Sequence, residues 1–491
     1  MQLDPVLLSR VQFALTVGFH YLFPPLTIGL GLLMVIMEGL YLRTGDRHYE
    51  SLAKFWTRIF GLIFAMGVAS GIVMEFQFGT NWATYSRYVG DIFGAALAAE
   101  GIFAFFLESG FLAVLIFGWD RVSPRMHFFS TVMVSLGSIF SAIWIIVANS
   151  WQQTPAGFEL TTQTLPDGST MTVARLTDFW QAVFNHSTLQ RLTHVLIGAM
   201  IAGGFLVLSV SSYYLLRGRH EVFARRGIAI ALPFSLAFCL LALLSGHVQG
   251  QNVARYQPAK LAAMEGLYKT QTQAPLHLFG ITDDEKQRVR YGLALPGMLS
   301  WLAHGDSRAA VVGLEAFPAA DRPPVQLTFQ SFHAMVGLGM LMIALTTVGT
   351  LLLALRRLYT QRWLLWVFVV AIIMPMAANQ LGWVAAEVGR QPWIVYPTYA
   401  GGGDFTPVGG LRTAEAHSKA VDGQQVLTSI ILISLIYLLL LVTWLYVLDR
   451  KIRAGPETPE QLEAAAQRRA GWFAVARERA DDAGQSLTDV R

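Results

Sequence analysis

The chain has 491 residues, of which 54% are hydrophobic and only 14% are charged, and its formal net charge is +4. A soluble protein of this length would carry about a quarter charged residues, so the composition excludes an ordinary soluble fold and indicates an integral membrane protein. A single cysteine, Cys239, excludes an internal disulfide and a cysteine-ligated iron–sulfur cluster, and we interpret it as a packing residue.

Nine apolar stretches predict transmembrane helices. A helix needs about 20 mostly apolar residues to cross the hydrocarbon core of a bilayer. The stretches that satisfy this length are 13–41, 53–75, 94–119, 127–149, 192–216, 228–247, 327–355, 363–386 and 427–448. The sequence therefore predicts an all-α integral membrane protein, with about nine transmembrane helices bundled in a lipid bilayer.

These stretches divide the chain into four regions. Residues 1–247 hold helices 1–6, and residues 248–326 form a large outer loop. Residues 327–448 hold helices 7–9, and residues 449–491 form a C-terminal tail. In this tail, Thr458-Pro459-Glu460-Gln461 matches a capping box with proline at the first helical position, which predicts a helix.

Lysines and arginines concentrate in alternate short connections. They are Arg43, Arg47, Lys54, Arg121, Arg125, Arg217, Arg219, Arg225, Arg226, Arg356, Arg357 and Arg362, followed by Arg450, Lys451 and Arg453 at the start of the tail. Short basic loops stay on the cytoplasmic side of a membrane, whereas long loops cross it regardless of charge. We therefore predict a cytoplasmic C-terminus, an N-terminus outside and an outer loop 248–326.

Several ionisable residues lie within the predicted spans. They are His20, Glu38, Glu75, Glu100, Glu108, His194, His333 and Glu387, with Arg390 directly after the eighth span. Charged groups in hydrocarbon are costly and usually mark a pathway or a cofactor. Glu75 and Glu387 lie at span ends, where an interfacial position is the alternative interpretation. Arg390 has the alternative of being an ordinary neighbour of Glu387.

His194 and Met335 are predicted at similar depths near the outer surface, because each lies one to two turns inside the outer end of its span. A histidine and a methionine on facing helices can be the two axial ligands of a haem. His333 and Met335 are about 200° apart around a helix, so only one of them can face the same iron. A helix–helix hydrogen bond for His194 and simple packing for Met335 remain the alternatives.

Glu100 and Glu108 are predicted to step inward along the third span. Their spacing places them about 80° apart around an α-helix, with Glu108 nearer the cytoplasm. Two carboxyl groups arranged in this way are typical of a proton relay.

Eight sequence strings together resemble one protein family, subunit I of the cytochrome bd-type quinol oxidases, including its cyanide-insensitive branch. The strings are LSRVQFALTVGFH (8–20), MEFQFGTNW (74–82), YVGDIFGA (88–95), AEGIFAFFLES (99–109), GWDR (118–121), WIIVANSWQQ (144–153), AKLAAMEG (259–266) and GWVAAEVGRQPW (382–393). They run in order over nearly the whole chain, and GRQPW after GWxxxE is the most specific of them.

This resemblance implies a respiratory terminal oxidase of the bacterial cytoplasmic (inner) membrane. The enzyme would oxidise membrane quinol at the outer face and reduce O2 to water with protons from the cytoplasm, without pumping. The implied cofactors are a low-spin haem b, a high-spin haem b and a haem d or second high-spin haem b, with no copper. The implied partners are a homologous subunit II and, in many members, a very small third subunit, with no nucleic acid.

The resemblance also implies the haem ligands. His194 and Met335 match the ligands of the low-spin haem b. His20 looks like the axial ligand of one high-spin haem and Glu387 like that of the other, and which haem each binds stays open. Glu100 matches a ligand or proton donor at the same dihaem site.

Other matched positions surround these ligands. Arg390 and Trp383 look like dihaem-site residues, and Arg10 and Asn149 fall within the matching strings. Glu108 looks like the entry of the proton path, with Ser141 on the fourth span as a neighbour. Lys260 and Glu265 match the quinol-binding motif of the family, which makes 248–326 the quinol loop.

One position departs from the family pattern. Members often have arginine two residues before the methionine ligand, where this chain has His333. A titratable side chain thus replaces a permanent cation, which puts the local electrostatics in doubt.

Three other functions agree less well with these residues. A haem–copper oxidase needs a cluster of copper-binding histidines, usually with an adjacent pair, and none of the 11 histidines is adjacent to another. A transporter or channel would explain Glu100 and Glu108 but would not require His20, His194 and Met335. A haem electron-transfer subunit would need only the His194/Met335 pair.

Overall fold

Nine helical segments among the residues that the structure describes are long and apolar enough to cross a membrane. The computed structural model describes residues 3–164, 168–401, 403–464 and 467. Within these residues the spans are Pro5–Thr44, Arg47–Gly79, Gly90–Phe117, Pro124–Gln153, Thr188–Leu216, Glu221–Tyr256, Ala319–Ala354, Arg362–Val388 and Gly423–Ala454. The predicted membrane-spanning helical bundle is thereby confirmed. Most helices extend a turn or more past the predicted apolar stretch, because polar residues can continue a helix into water.

The spans are built from twelve α-helices, and five short helices lie outside them. The helices are α1 (Pro5–His20), α2 (Pro24–Thr44), α3 (Arg47–Gly79), α4 (Ala83–Tyr88), α5 (Gly90–Ala99), α6 (Phe106–Phe117), α7 (Pro124–Gln153), α8 (Phe179–Val183), α9 (Thr188–Leu216), α10 (Glu221–Tyr256), α11 (Pro258–Glu265), α12 (Met298–His304), α13 (Val325–Ala354), α14 (Arg362–Val370), α15 (Ile373–Val388), α16 (Thr413–Ala416) and α17 (Gly423–Ala454).

Short antiparallel strand pairs lie in the segments between the spans. They are β1 (Phe158–Thr164) with β2 (Thr170–Leu176), β3 (Gln271–Thr272) with β6 (Ala310–Val311), β4 (Leu276–Asp283) with β5 (Arg288–Leu295), β7 (Trp393–Val395) with β10 (Leu411–Arg412), and β8 (Thr398–Gly401) with β9 (Asp404–Val408). Two of these pairs, β3–β6 and β4–β5, lie in the large outer loop. The all-helical description therefore holds for the membrane part.

Among the described residues, the first, third and eighth spans are interrupted within their length, and the seventh begins with a 3-10 turn before α13. The first breaks between His20 and Pro24, where a proline that lacks an N–H begins the next helix. The third contains a π-helix that begins at Glu100, and the eighth breaks between α14 and α15. Irregular backbone at membrane depth is tolerated where protein surrounds it, and π-turns are frequent at functional sites. Two of the three interruptions coincide with candidate site residues.

Helices α2 and α9 touch through their backbones. A Cβ atom placed on Gly29 would lie 2.1 Å from the carbonyl oxygen of Ala199, and one on Gly203 would lie 2.3 Å from the carbonyl carbon of Gly29. Small residues permit such close approach between membrane helices. The spans that carry His20 and His194 are therefore packed directly on one another.

The basic connections lie together at one face of the bundle. Asp46, after the first span, pairs with Arg226 in the second turn of α10 at 2.6 Å. Arg219 donates a hydrogen bond to the carbonyl of Arg453 in the tail, 3.2 Å away. The sequence grouping of these loops on one side agrees with these contacts.

The N-terminus lies at the opposite face. Ser9, near the start of α1, lies 3.0 Å from the Nε2 atom of His417, which precedes α17. The 32 residues of α17 then cross to the basic face. There Thr458 and Gln461 exchange the two hydrogen bonds of the predicted capping box, at 2.9 and 3.4 Å. The remainder of the predicted tail helix lies outside the described residues after Ala464.

Candidate functional site

His194 has one ring nitrogen engaged and the other available. Its Nδ1 lies 2.9 Å from the hydroxyl of Ser245 on α10. Among the described residues, no hydrogen bond reaches its Nε2. Metal-binding histidines usually use their second nitrogen in this way, which fixes the orientation of the ring. A Cβ on Gly246 would be 3.5 Å from the ring, so the neighbouring helix leaves room beside it.

Met335 and the His194 helix both approach the same stretch of α15. The Met335 sulfur lies where a Cβ on Gly382 would be only 2.9 Å away. One turn earlier on α15, Asn379 donates a 3.4 Å hydrogen bond to the carbonyl of Gly198, which is one turn from His194. The two candidate ligands thus belong to helices that meet at one point, which fits an axial pair.

His333 is not available as a metal ligand. Its Nδ1 lies 2.9 Å from the carbonyl oxygen of Phe329, and its Nε2 lies 2.7 Å from that of His277. Both ring nitrogens therefore face backbone acceptors. Of the two neighbours on α13, Met335 alone has its donor atom free.

His20 ends α1 at the break in the first span. Its Nδ1 lies 3.0 Å from the hydroxyl of Ser70 on α3, while no hydrogen bond reaches Nε2 from the described part of the chain. Next to it, the rings of Tyr21 and Trp383 pack edge to face with centroids 5.6 Å apart. Gln380 donates a 2.8 Å hydrogen bond to the carbonyl of Gly18. Trp383 therefore packs against the residue that follows His20.

Glu387 is held by three donors. Its Oε2 pairs with Arg390, and its Oε1 accepts hydrogen bonds from Asn149 and Gln153, each at 3.1 Å. A carboxylate offers about four lone-pair positions, so one remains free on Oε2. The group is oriented and still has capacity to bind an iron.

Positive charge exceeds negative charge around Glu387. Arg191 donates to Asn149, so a second permanent cation lies one amide away from the carboxylate, and Lys260 donates to Gln153. The Nε atoms of Arg191 and Arg390 are buried and have no hydrogen-bond partner among the described residues. Uncompensated buried charge is expensive, so this cluster is suited to anionic groups such as the propionates of a haem. With the two free histidine nitrogens, the residues present fit haem.

Glu100 begins the π-helix and is bound from the fourth span. The hydroxyl of Ser141 on α7 donates a hydrogen bond to its carboxylate across 2.6 Å. Glu108 is buried two turns further along, with 8% of its surface exposed. Because a π-turn rotates less per residue than an α-turn, the angle expected from unbroken α-helical spacing does not apply between the two. Ser141, expected beside Glu108, makes its hydrogen bond to Glu100.

Lys260 and Glu265 lie on α11 in the outer loop and are both buried. Lys260 donates to Gln153 and, at 2.8 Å, to the side-chain oxygen of Gln257, so its terminal nitrogen points into the protein. Burial lowers the pKa of Lys260 well below its usual range. Burial also raises the pKa of Glu265 to about 8, and its Oε2 has no partner in the described structure.

Several contributors were not singled out from the sequence. Arg191 and Gln153 connect Glu387 to the outer loop, while Ser70 and Ser245 orient the two histidines. Gln153 ends a string that carried the family resemblance, which was a usable signal. The serines gave none, because a hydroxyl in an apolar helix usually bonds its own backbone. Arg10, noted within a matching string, is exposed on α1.

The fold and site define a polytopic membrane protein built to hold haem. A family model described as cytochrome bd terminal oxidase subunit I matches residues 8–456. The chain therefore belongs to the cytochrome bd terminal oxidase subunit I family, whose members are subunits of bacterial respiratory oxidases.

Relatives cover nearly the full chain. Cytochrome bd ubiquinol oxidase subunit 1 of Bacillus subtilis is 36% identical and aligns over 93% of this chain and 95% of its own length. Cytochrome bd-II ubiquinol oxidase subunit 1 of Escherichia coli is 33% identical over 94% of this chain and 99% of its own length. The bd oxidase structure from Geobacillus thermodenitrificans superposes with a TM-score of 0.82 at 31% identity, over 93% of this chain and 100% of that one.

Proposed function

We propose that this subunit oxidises membrane quinol at its outer face and reduces O2 to water at a high-spin haem pair, with protons from the cytoplasm and without pumping. Family membership makes it a quinol:O2 oxidoreductase subunit. The observation that carries the proposal concerns two histidines within the spans, His20 and His194. Each is oriented by a serine hydroxyl at Nδ1, and neither has a hydrogen bond at Nε2 among the described residues. Two quinols supply the four electrons that reduce one O2 to two waters.

His194 and Met335 would hold a low-spin haem b. His20 and Glu387 would each hold one haem of the high-spin pair, a haem b with a haem d or second haem b, and Glu100 belongs to the same site. When bound, the haems supply electron transfer and oxygen chemistry, and no copper is needed.

Arg390 and Trp383 would shape the dihaem site. Arg390 holds the Glu387 carboxylate and is itself held by its hydrogen bond to the carbonyl of Ile394 at 2.7 Å. Trp383 packs on Tyr21, the residue after His20. Both residues therefore fix the positions of the candidate ligands relative to one another, which the reaction requires.

Protons for water would reach the site through Glu108. Ser141 holds Glu100 at 2.6 Å, and Ser138 is buried about one turn before Ser141 on the same helix. Polar side chains on α7 thus face the span that carries both carboxyl groups. This arrangement supports a relay from Glu108 to Ser141 and Glu100.

Quinol protons would leave at the outer loop through Glu265. Its buried Oε2 has no hydrogen-bond partner among the described residues, so it can accept a hydrogen bond from a quinol hydroxyl and then the proton. Lys260 would belong to the same quinol site, and Gln153 links it by hydrogen bonds to Glu387. The quinol loop and the dihaem site are connected through one glutamine side chain.

The assembly would lie in the bacterial cytoplasmic membrane with its basic face inside and its N-terminus outside. Subunit II, homologous to this one, would be the partner, with a very small third subunit in addition. Large apolar side chains cover exposed faces of α17 and of the third span, consistent with contact to lipid and other subunits.

Spectroscopy with oxygen uptake tests the function. We expect a reduced-minus-oxidised spectrum with low-spin b and high-spin signals, together with quinol-dependent O2 consumption. A protein without haem would favour a transporter, and a single low-spin b signal without O2 uptake would favour an electron-transfer subunit. Either result would overturn the proposal.

A further inference from the structure

Three side chains on the outer end of α13 fasten the β4–β5 hairpin to that helix. Gln326, Gln330 and His333 are spaced four and three residues apart, so they lie on one face. The backbone N–H of Thr282 donates to Gln326 at 2.9 Å, and Gln330 donates to the carbonyl of Gly280 at 2.6 Å. The hairpin is therefore hydrogen-bonded to the outer end of α13.

His333 completes this contact at the point nearest Met335. Its Nε2 lies 2.7 Å from the carbonyl oxygen of His277 at the start of β4, so the tautomer that carries a proton on Nε2 donates a hydrogen bond to the hairpin. The His333 ring also stacks on Phe329 with centroids 3.9 Å apart, which fixes its orientation. The histidine that departs from the family pattern thus contacts the outer loop instead of standing free.

The fastened hairpin closes over the turn after Glu265. A Cβ on Gly266 would lie 2.7 Å from Val289 on β5, 3.2 Å from Thr282 on β4 and 3.3 Å from Phe329 on α13. Gly266 has a φ of +61°, so a left-handed turn and tight packing coincide there. Movement of the hairpin away from α13 would uncover the residue next to Glu265.

We propose that His333 is a positioning residue for quinol oxidation, which holds the β4–β5 hairpin on α13 and thereby fixes the Glu265 turn relative to Met335. The inference rests on the proposed function, because it assigns quinol binding to that turn. His333 acts through the carbonyl of His277 and touches neither quinol nor haem.

The test compares substitutions within the purified oxidase complex. His333→Ala should raise the KM for a short-chain quinol about threefold to tenfold, the effect of losing one hydrogen bond. Its kcat should stay within about twofold and its low-spin haem spectrum should be unchanged. His333→Gln, whose amide N–H can also donate, should recover most of the affinity. Gln330→Leu should reproduce the rise in KM, while Met340→Leu, exposed on the same helix, should not.

Hydrogen exchange gives a second readout that does not depend on activity. The amides of 276–283 should exchange faster in His333→Ala and in Gln330→Leu than in the parent complex. Unchanged exchange and unchanged KM in both variants would overturn the inference. Loss of the low-spin signal in His333→Ala would also overturn it, because it would assign His333 to the haem. If the proposed function itself is wrong, the result is different from these two outcomes. The parent complex would then lack haem or quinol-dependent O2 uptake.

Discussion

The imidazole of His127 and the carboxylate of Glu38 lie 2.6 Å apart, from Nδ1 to Oε1, with 1% and 2% of their side chains exposed. Thr131 donates to the second carboxylate oxygen at 2.5 Å, and the other ring nitrogen of His127 lies 3.1 Å from the carbonyl of Leu115. Every polar atom of the pair is thus satisfied. The pair joins α2, α6 and α7, and this gives Glu38 the structural role that the sequence left unassigned.

Removing one partner of this buried pair should destabilise the protein strongly. Glu38→Leu leaves a buried imidazole without its acceptor, and such losses cost about 3–5 kcal/mol. Thermal unfolding of the purified complex should therefore begin at a lower temperature. Glu221→Gln removes an exposed pair with Arg225 and should change the transition little. Equal effects of the two substitutions would argue against a structural role for Glu38.

Met335→Leu should abolish the low-spin haem signal. Leucine has a similar volume but no sulfur, so packing against Gly382 is kept while the ligand atom is lost. The measurement is a reduced-minus-oxidised spectrum, with Met340→Leu on the same helix as the matched control. An unchanged spectrum in Met335→Leu would refute the ligand assignment.

Quinol oxidation should depend on the ionisation of Glu265. Burial raises its pKa to about 8, so the carboxyl group carries a proton at neutral pH and becomes able to accept one as the pH rises. The kcat/KM for quinol should therefore rise with pH, reach half of its plateau at about pH 8 and level off only above that pH. Glu265→Gln should lower kcat/KM and remove this rising limb. A limb that persists in Glu265→Gln would assign it to another group.

The relay from Glu108 to Glu100 should be sensitive to Ser141. Ser141→Ala removes the donor that orients the Glu100 carboxylate and should slow turnover a few-fold, while Glu108→Gln should slow it by about tenfold or more. Turnover is measured as O2 consumption at saturating quinol. Ser434→Ala on α17 removes only a hydrogen bond within its own helix and serves as the control. The relay is excluded if all three variants turn over like the parent.

The orientation of the bundle can be read by cysteine labelling. Cys239 is buried at 2% exposure, so background labelling of the parent chain should be low. Ser307→Cys in the outer loop should react with an impermeant maleimide on intact cells. Thr360→Cys, in the connection before α14, should react only after the cells are opened. The reverse pattern would invert the predicted topology.

The sequence predicted the positions of the spans and of the ionisable residues within them better than it predicted which side chains contact one another. Apolar run length and the cost of buried charge indicated the spans and the special status of His20 and His194. The π-helix at Glu100 could not be foreseen, because its sequence EGIFAF has no feature that distinguishes it from an α-helix. The inward direction of Lys260 was equally hidden. It depends on Gln153 at the end of α7 and Gln257 between α10 and α11, which tertiary packing brings together.

The hydrogen-bond partner of His333 also could not be predicted from the sequence. The sequence identified it as a departure from the family and placed it about 200° from Met335 around the helix. That angle excluded a shared iron but gave no partner. The partner is the main chain of His277, and a backbone carbonyl leaves no mark in the sequence.

The backbone contact between Gly29 and Gly203 has a consequence for electron tunnelling. Tunnelling probability falls exponentially with distance, so a relay between centres in two spans is only as uniform as the gap between the spans. Here that gap is set by main-chain atoms, which cannot change rotamer. In the proposed arrangement of haems, this backbone contact would reduce thermal variation in the distance between the span that carries His194 and the span that carries His20.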